Sequence, residues 1–325
     1  MIVVTGGAGF VGSNIVVALA ASGARIAVCD RLRQAGKCRN LARVAPYELI
    51  APEALLAWLP EHAAEIEAIV HMGAISSTTE TDVDLIVEVN FRLSQALWRW
   101  CALAGKRFIY ASSAATYGAG DQGFDDDPGK LPLLRPLNAY GWSKQLFDRW
   151  IAQIESAGGP SPPQWVGLKF FNVYGPNEYH KGSMRSVVAQ KYPLAVAERP
   201  VTLFRSHRTD IPDGGQKRDF IYVRDCVQVV QWLLGQPRVS GLFNLGTGHA
   251  RSFIDLVHAL FAALQRPVRL EYVDTPAALR THYQYFTEAR MERLRAAGYT
   301  QPFTSLEEGV ADYVQRYLAR PDPYL

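Results

Sequence analysis

Tyr140 and Lys144 stand four residues apart in "NAYGWSKQLFDRW", a spacing that puts both on one face of a helix. A phenol of pKa ~10 is a poor base at neutral pH, but an ammonium and an oxidised nicotinamide ring beside it would stabilise the phenolate. Such a pair could carry a proton to and from a sugar hydroxyl. Tyr-x-x-x-Lys alone is common. Here it follows "YASSAATYG", where Ser113 falls at the end of a strand and its hydroxyl could hydrogen-bond the substrate oxygen, with Ser112 as a structural neighbour. A further lysine, Lys181, sits in "NVYGPNEYHKGSM". Taken alone it is a solvated loop lysine, because a pKa of ~10.4 must be depressed by burial or nearby cations before the amine can act as a base.

A redox partner for this proton chemistry is signalled at the other end of the chain. "VVTGGAGFVG" places Gly6, Gly9 and Gly12 directly after an apolar strand and before a helix expected from about Ser13. Glycines there let the backbone approach a pyrophosphate, whose charge then meets helix N-terminal amides. Eighteen residues after Gly12, Asp30 ends the second strand, where a carboxylate can hold an adenosine ribose hydroxyl and favour NAD. Arg31, Arg33, Lys37 and Arg39 follow, and such cations could instead meet the extra phosphate of NADP. The residues leave both coenzymes open.

The elements that must position these groups read as βαβ units. β-branched runs ("MIVVT", "ARIAVCD", "EAIVHMGA", "KRFIYASS", "QWVGLKFF") alternate with amphipathic stretches, which predicts an α/β fold with a Rossmann-type doubly wound parallel sheet. Helices include "NIVVALAASG", ending near Gly23, and "LIVEVNFRLSQALWRWCALAG", ending at Gly105, with Trp98 and Trp100 as packing residues. After residue 172 the loops grow richer in Gly, Pro and His, so we divide the chain into a dinucleotide-binding region, 1–172 with 219–247 returning to it, and a smaller interleaved α/β substrate region, 173–218 with 248–325. "DDD" at 125–127 reads as a solvated turn.

Composition narrows the function classes. Of 325 residues 48% are hydrophobic, enough for a large core rather than a disordered chain, and 34 Lys and Arg against 31 Asp and Glu do not call for nucleic acid. The four scattered cysteines suggest neither a disulfide framework nor a metal site. The absence of a basic leader and of any ~20-residue apolar run points away from a membrane and to a cytoplasmic protein.

Taken together, the Gly6/Gly9/Gly12 string, "HMGA", Ser113, Tyr140 with Lys144, and "FFNVYGP" resemble the extended short-chain dehydrogenase/reductase family over essentially the whole length. Within it, "SSTTETD", "FNVYGPNEYHKGSM", "KRDFIYV" and "FNLGTG" are similar to the branch that inverts C6 of an ADP-linked glycero-manno-heptose. The resemblance implies tightly held NADP (NAD being the alternative), oxidation to a transient ketone, re-reduction from the other face, and supply of heptose to the lipopolysaccharide core. It assigns the two acid/base roles to Tyr140 and Lys181. It implies coenzyme contacts at Phe10, Val11, Asp30, Arg31, Lys37, Met72, Gly73, Ala74, Ile75, Ser76, Asn90, Lys144, Val173 and Lys181. It implies ADP-sugar contacts at Asn172, Ser183, Gln190, Phe204, Arg205, Ser206, His207, Arg218 and Tyr283. Arg218 has the clearest physics, since a guanidinium can grip diphosphate oxygens in a fork. No metal is implied, and the assembly would be a homo-oligomer, as a homopentamer.

The chain departs from the pattern at Met72, where glutamate is usual, at Gln190 for histidine and at His282 for arginine; "YELIAPE" lacks the usual acid, and "SHRTDIPDGGQ" is longer. Rival functions are a nucleotide-sugar 4-epimerase, a 4,6-dehydratase and a non-enzymatic NADP-binding regulator. A dehydratase would need an acid and a base where Ala114 and Ala115 stand. A 4-epimerase would not need Lys181, and a regulator would have no reason to keep Ser113, Tyr140, Lys144 and Lys181 together.

Overall fold

The computed structural model describes residues 1–32, 35–276, 280 and 283–325; Arg33 and His282 lie outside the described residues. Seven strands pair in parallel: β1 (Ile2–Thr5), β2 (Ile26–Cys29), β3 (Glu48–Ile50), β4 (Ala68–His71), β5 (Arg107–Ser113), β6 (Trp165–Phe170) and β10 (Gly241–Leu245). Their order is β10-β6-β5-β4-β1-β2-β3. All four residues of β1, β2 and β4 are buried, which explains why these runs are continuously apolar: helices cover both faces, so neither face can be polar. The order reverses between β1 and β4. Right-handed crossovers to either side of that point put the following helices on opposite faces and leave a crevice at the carboxyl ends of the strands.

The helix after β1 spans Phe10–Ala21, starting earlier than expected because Gly9, with extended backbone, serves as its N-cap. The helix Val223–Gly235 packs beside it. On the other face, Trp98 of the helix Leu93–Ala104 is 1% exposed and meets Phe108 and Trp150 edge-on, so this tryptophan is core. That helix ends at Gly105 in the left-handed conformation, φ 64°. It is preceded by a π-helical stretch, Val87–Arg92, in what the sequence presents as uniform helical spacing.

The remaining strands form two small sheets. β7 (Asn172–Tyr174), β9 (Lys217–Tyr222) and β11 (Ala250–Ser252) make one, β8 (Val201–Phe204) and β12 (Leu270–Val273) the other. A second apolar core lies beneath them, built from Tyr174, Val188, Tyr222, Leu260 and Tyr313 among others, and it includes Phe10. The first residue of the glycine-loop helix therefore belongs to the smaller region's core.

The expectation of a solvated turn at 125–127 fails at its centre. Asp126 is buried, accepts the Asn244 N–H at 2.7 Å and faces Arg293 at 3.5 Å, because the turn folds inward against β10. Burial pushes its carboxyl up to about 6.

Candidate active site

At the mouth of the crevice the glycine string works by close approach. A Cβ on Gly12 would stand 2.1 Å from the Gly6 carbonyl oxygen, and Gly6, at φ +65°, would press its own Cβ onto the Gly73 backbone at 2.7 Å. Over Gly9 a Cβ would meet only Gly6. Because Gly9 caps the helix without a side chain, the helix amides face that open space, which suits a pyrophosphate. On the neighbouring strand, Met72 donates to the Thr5 carbonyl at 3.1 Å and Gly73 to the Thr5 hydroxyl at 3.1 Å. Asn90 exchanges two hydrogen bonds with the Ile75 backbone, at 2.8 and 2.9 Å, and so fixes the Met72–Ser76 segment, with Ala74 inside it, along the same edge.

At the end of β2, Asp30 accepts from the Ala8 amide at 2.9 Å, from the Arg31 amide at 2.6 Å and from the Lys37 ammonium. Arg31 turns its guanidinium to Glu53. Lys37 thus offsets the Asp30 charge, and Arg31, one of the cations that could meet an extra phosphate, is paired with Glu53, an acid absent from the sequence expectation.

Ser113 ends β5, and Tyr140 lies in the first turn of the helix Ala139–Ser156, which Asn138 caps by accepting the Gly141 amide at 2.8 Å. Burial raises the Tyr140 phenol above its usual value, and a hydrogen bond with Ser113 pulls it back down. Lys144, one turn on, donates to the Ala111 carbonyl at 2.7 Å, and burial lowers its ammonium to about 8. The Asp148 carboxylate adds to the upward push on the phenol.

Beneath these residues lies a pair that sequence reasoning missed. Asp148, a further turn along the same face, meets Lys169 of β6 at 2.8 Å, and both side chains are fully buried. Tyr110 and Ser112 donate to the same carboxylate at 3.0 and 2.6 Å, and Lys169 also donates to Thr116 at 2.7 Å. A buried pair this well hydrogen-bonded fixes the helix against β5 and β6 and so sets Tyr140 and Lys144 over the strand edge. The available signal was a lysine inside the apolar run "WVGLKFF".

Lys181 lies in the short helical stretch Tyr179–Met184, partly buried, its ammonium 5.4 Å from the centre of the Phe10 ring. Burial lowers its pKa and the buried Glu178 pushes back. Glu178 is itself held by Ser186, whose hydroxyl donates at 2.6 Å. Three asparagines tie this turn to the glycine loop: Asn14 donates to the Pro176 carbonyl at 3.0 Å, Asn40 to the carbonyls of Ala8 and Asn177 at 2.9 and 3.1 Å, and Asn177 to the Ser13 hydroxyl at 3.0 Å. Asn177 adopts φ 72°, a left-handed position that asparagine tolerates. The loop lysine expected from local sequence is thereby brought to the start of the helix that follows the glycine loop.

The residues expected to contact the ADP-sugar, and Val173 beside them, follow β6 in the chain. Asn172 is exposed and Val173 partly buried on β7. Phe204 meets Tyr283 edge-on at 6.3 Å, and the Arg218 guanidinium lies 5.5 Å from the Tyr283 ring and 5.6 Å from Phe253. Arg218 is 7% exposed, and among the described residues its hydrogen bonds go to the backbone carbonyls of Lys217 and Gln284, so its charge has no carboxylate match there. The 205–213 loop is held by Asp213, which accepts the Ser206 amide at 2.7 Å, and by the Tyr285 hydroxyl, which accepts the His207 amide at 2.9 Å. Arg205 is exposed between Asp213 and Asp274, at 3.7 Å from each. Gln190 donates to the carbonyls of Ser183 and Arg185, at 3.0 and 2.6 Å, acting on the loop that carries the exposed Ser183.

The family model described as "NAD dependent epimerase/dehydratase family" matches residues 2–246. The chain is 49% identical to the ADP-L-glycero-D-manno-heptose-6-epimerase of Nitratidesulfovibrio vulgaris (strain DP4), over 100% of both chains. Among solved structures it is similar to the ADP-L-glycero-D-manno-heptose-6-epimerase of Helicobacter pylori, 30% identical with a TM-score of 0.80 over 97% of this chain and 95% of that one. It is also similar to the UDP-glucose 4-epimerase of Thermus thermophilus in complex with NAD, 26% identical with a TM-score of 0.75 over 96% and 97%.

Proposed function

The chain belongs to the NAD dependent epimerase/dehydratase family, and from that premise we propose that it is an isomerase that inverts C6 of ADP-glycero-manno-heptose. Full-length identity near one half to a relative of that name supports the substrate, and one observation carries the reaction: Lys181, lowered in pKa by burial, is held against Phe10 at the start of the coenzyme helix. When bound, the nicotinamide coenzyme takes up and returns the hydride. Inversion then requires a proton to leave and rejoin the sugar oxygen with the sugar in two orientations, which two acid/base groups achieve more easily than one. Tyr140 serves one orientation, its phenol tuned by Ser113, and Lys181 serves the other. Lys144 holds the nicotinamide ribose, Arg218 takes the diphosphate, and Asn172, Ser183, Phe204–His207 and Tyr283 line the sugar side. Gln190 acts on that side through the carbonyl of Ser183.

NADP is the proposed coenzyme. Asp30 would repel a 2′-phosphate, but its pairing with Lys37 offsets that charge, and Arg39 stands nearby in sequence. The assembly is proposed to be a homo-oligomer, a homopentamer by family resemblance, acting in the cytoplasm; no described helix is long and apolar enough to cross a membrane. Incubation with each C6 epimer of ADP-heptose and with UDP-galactose, followed by NMR, tests the reading. Both heptose epimers should converge on one mixture while UDP-galactose persists. Turnover of UDP-galactose alone would replace the assignment with a 4-epimerase.

A further inference from the structure

The segment 322–325 touches two walls of the coenzyme cleft at once. On the first wall, Asp322 takes Arg43 at 2.8 Å and Arg39 at 3.4 Å, and the Arg39 guanidinium lies 4.2 Å above the Tyr324 ring. A Cβ at Gly36, beside Lys37, would come within 3.9 Å of the Tyr324 hydroxyl and 3.7 Å of the His180 Cβ. On the second wall, the Tyr179 hydroxyl donates to the Pro323 carbonyl at 2.8 Å, the Tyr179 and Tyr324 rings meet edge-on at 5.0 Å, and the Leu325 amide donates to Asn177 Oδ1 at 3.0 Å. Tyr324 is 8% exposed, so a large ring fills the join.

We infer that Tyr324 is a positioning residue of the coenzyme cleft: wedged between Arg39 and Tyr179, it holds the 35–41 wall against the 177–181 turn and so sets where Lys37 and Lys181 stand. It acts through its neighbours and touches no reacting atom. Asn40 latches the inner side of the same join through its bonds to Ala8 and Asn177, and Tyr324 closes the outer side. The charged and titratable groups facing this join are Arg39, Arg43 and Asp322 on its outer side and Lys37, Asp30, His180 and Lys181 further in, with Glu178 behind; burial and the two lysines lower His180 to about 4, so its imidazole is neutral at pH 7. Opening the outer side admits water, which returns Lys181 toward the ordinary lysine range and loosens Lys37 against Asp30. The ring, not the hydroxyl, carries these contacts.

This inference rests on the nicotinamide-dinucleotide reading of the cleft, and its test separates the two. NADP affinity is measured by titration of the purified chain. Lys181 is followed by amine labelling across pH with mass spectrometry. Tyr324→Ala is expected to weaken NADP about tenfold, equivalent to ~1.4 kcal/mol, and to move the Lys181 labelling midpoint up toward the ordinary lysine range. Tyr324→Phe is expected to match the parent in both. Tyr324→Leu keeps bulk without the ring and is expected to shift both in the same direction by less, which preserves the test should the alanine variant not fold. Parent-like NADP affinity and labelling in Tyr324→Ala or Tyr324→Leu, or a loss in Tyr324→Phe as large as in Tyr324→Ala, overturns the inference. A parent that binds no NADP overturns the coenzyme reading instead, and the labelling midpoints then decide the position of Tyr324 on their own.

Discussion

The Lys181 ammonium stands 5.4 Å from the centre of the Phe10 ring, and Phe10 is the first residue of the helix that follows the glycine loop. Two segments more than 160 residues apart in the chain therefore share one wall. The asparagine ties from Asn14, Asn40 and Asn177 keep them together. The proposed second acid/base group owes its lowered pKa to that assembly, since burial is its leading cause.

Tyr140→Phe removes the phenolic proton and leaves the ring. Epimerisation should fall by ~10²–10⁴-fold, the range for loss of a general acid/base group. Bound coenzyme, released by denaturation and measured by absorbance, should be retained. Loss of coenzyme would mean that the variant acts through binding rather than proton transfer.

Lys144 should give the turnover rate an alkaline limb. Burial lowers its ammonium to about 8, so the charge that would stabilise a Tyr140 phenolate disappears as pH rises through that value. Turnover measured across pH should decline above about pH 8. In Lys144→Arg, whose guanidinium does not titrate there, the decline should move to higher pH even if the maximal rate is lower. An unmoved limb would assign it to another group.

Arg218→Lys should raise KM for the ADP-sugar about ten- to a hundredfold, by replacing the forked, charge-assisted contact with a point charge. Coenzyme affinity should stay unchanged, because Arg218 lies among Tyr283 and Phe253 in the smaller region. A parallel loss of coenzyme would place the guanidinium's role elsewhere.

His71 should make stability fall in acid. Its ring is buried between the hydroxyls of Thr5 and Ser94, at 2.6 and 2.9 Å, and burial lowers it to about 3 from an ordinary 6.5. Between those values the unfolded chain binds the extra proton and the folded chain does not, so stability present above 6.5 is lost as pH falls toward 3. Denaturant midpoints should therefore drop between pH 7 and 4.5. His71→Asn should be less stable at pH 7 and lose less on acidification; an equal acid loss in both chains would exclude His71 as a source.

Much of this was legible in the residues. The strands could be read because sheet positions covered on both faces must be apolar, and the glycine string because only glycine permits the 2.1 Å Cβ position at Gly12 and the positive φ at Gly6. Tyr140, Lys144 and Ser113 were readable from one helical turn and one strand end. What could not be read depended on contacts distant in sequence. Asp148 with Lys169, the inward turn at Asp126, and Tyr324 between Arg39 and Tyr179 each join segments whose local pattern carries no sign of the other. Arg31 shows the same limit in reverse: its charge was plain, its partner Glu53 was not.

Lys181→Ala tests the central claim most directly. The variant is incubated with one C6 epimer of ADP-heptose, inversion is followed by NMR, and NADP content is measured on the same sample. The account predicts coenzyme bound at the parental level with epimerisation reduced by at least about a hundredfold. Full turnover by Lys181→Ala would contradict it and leave Tyr140 as the sole acid/base group.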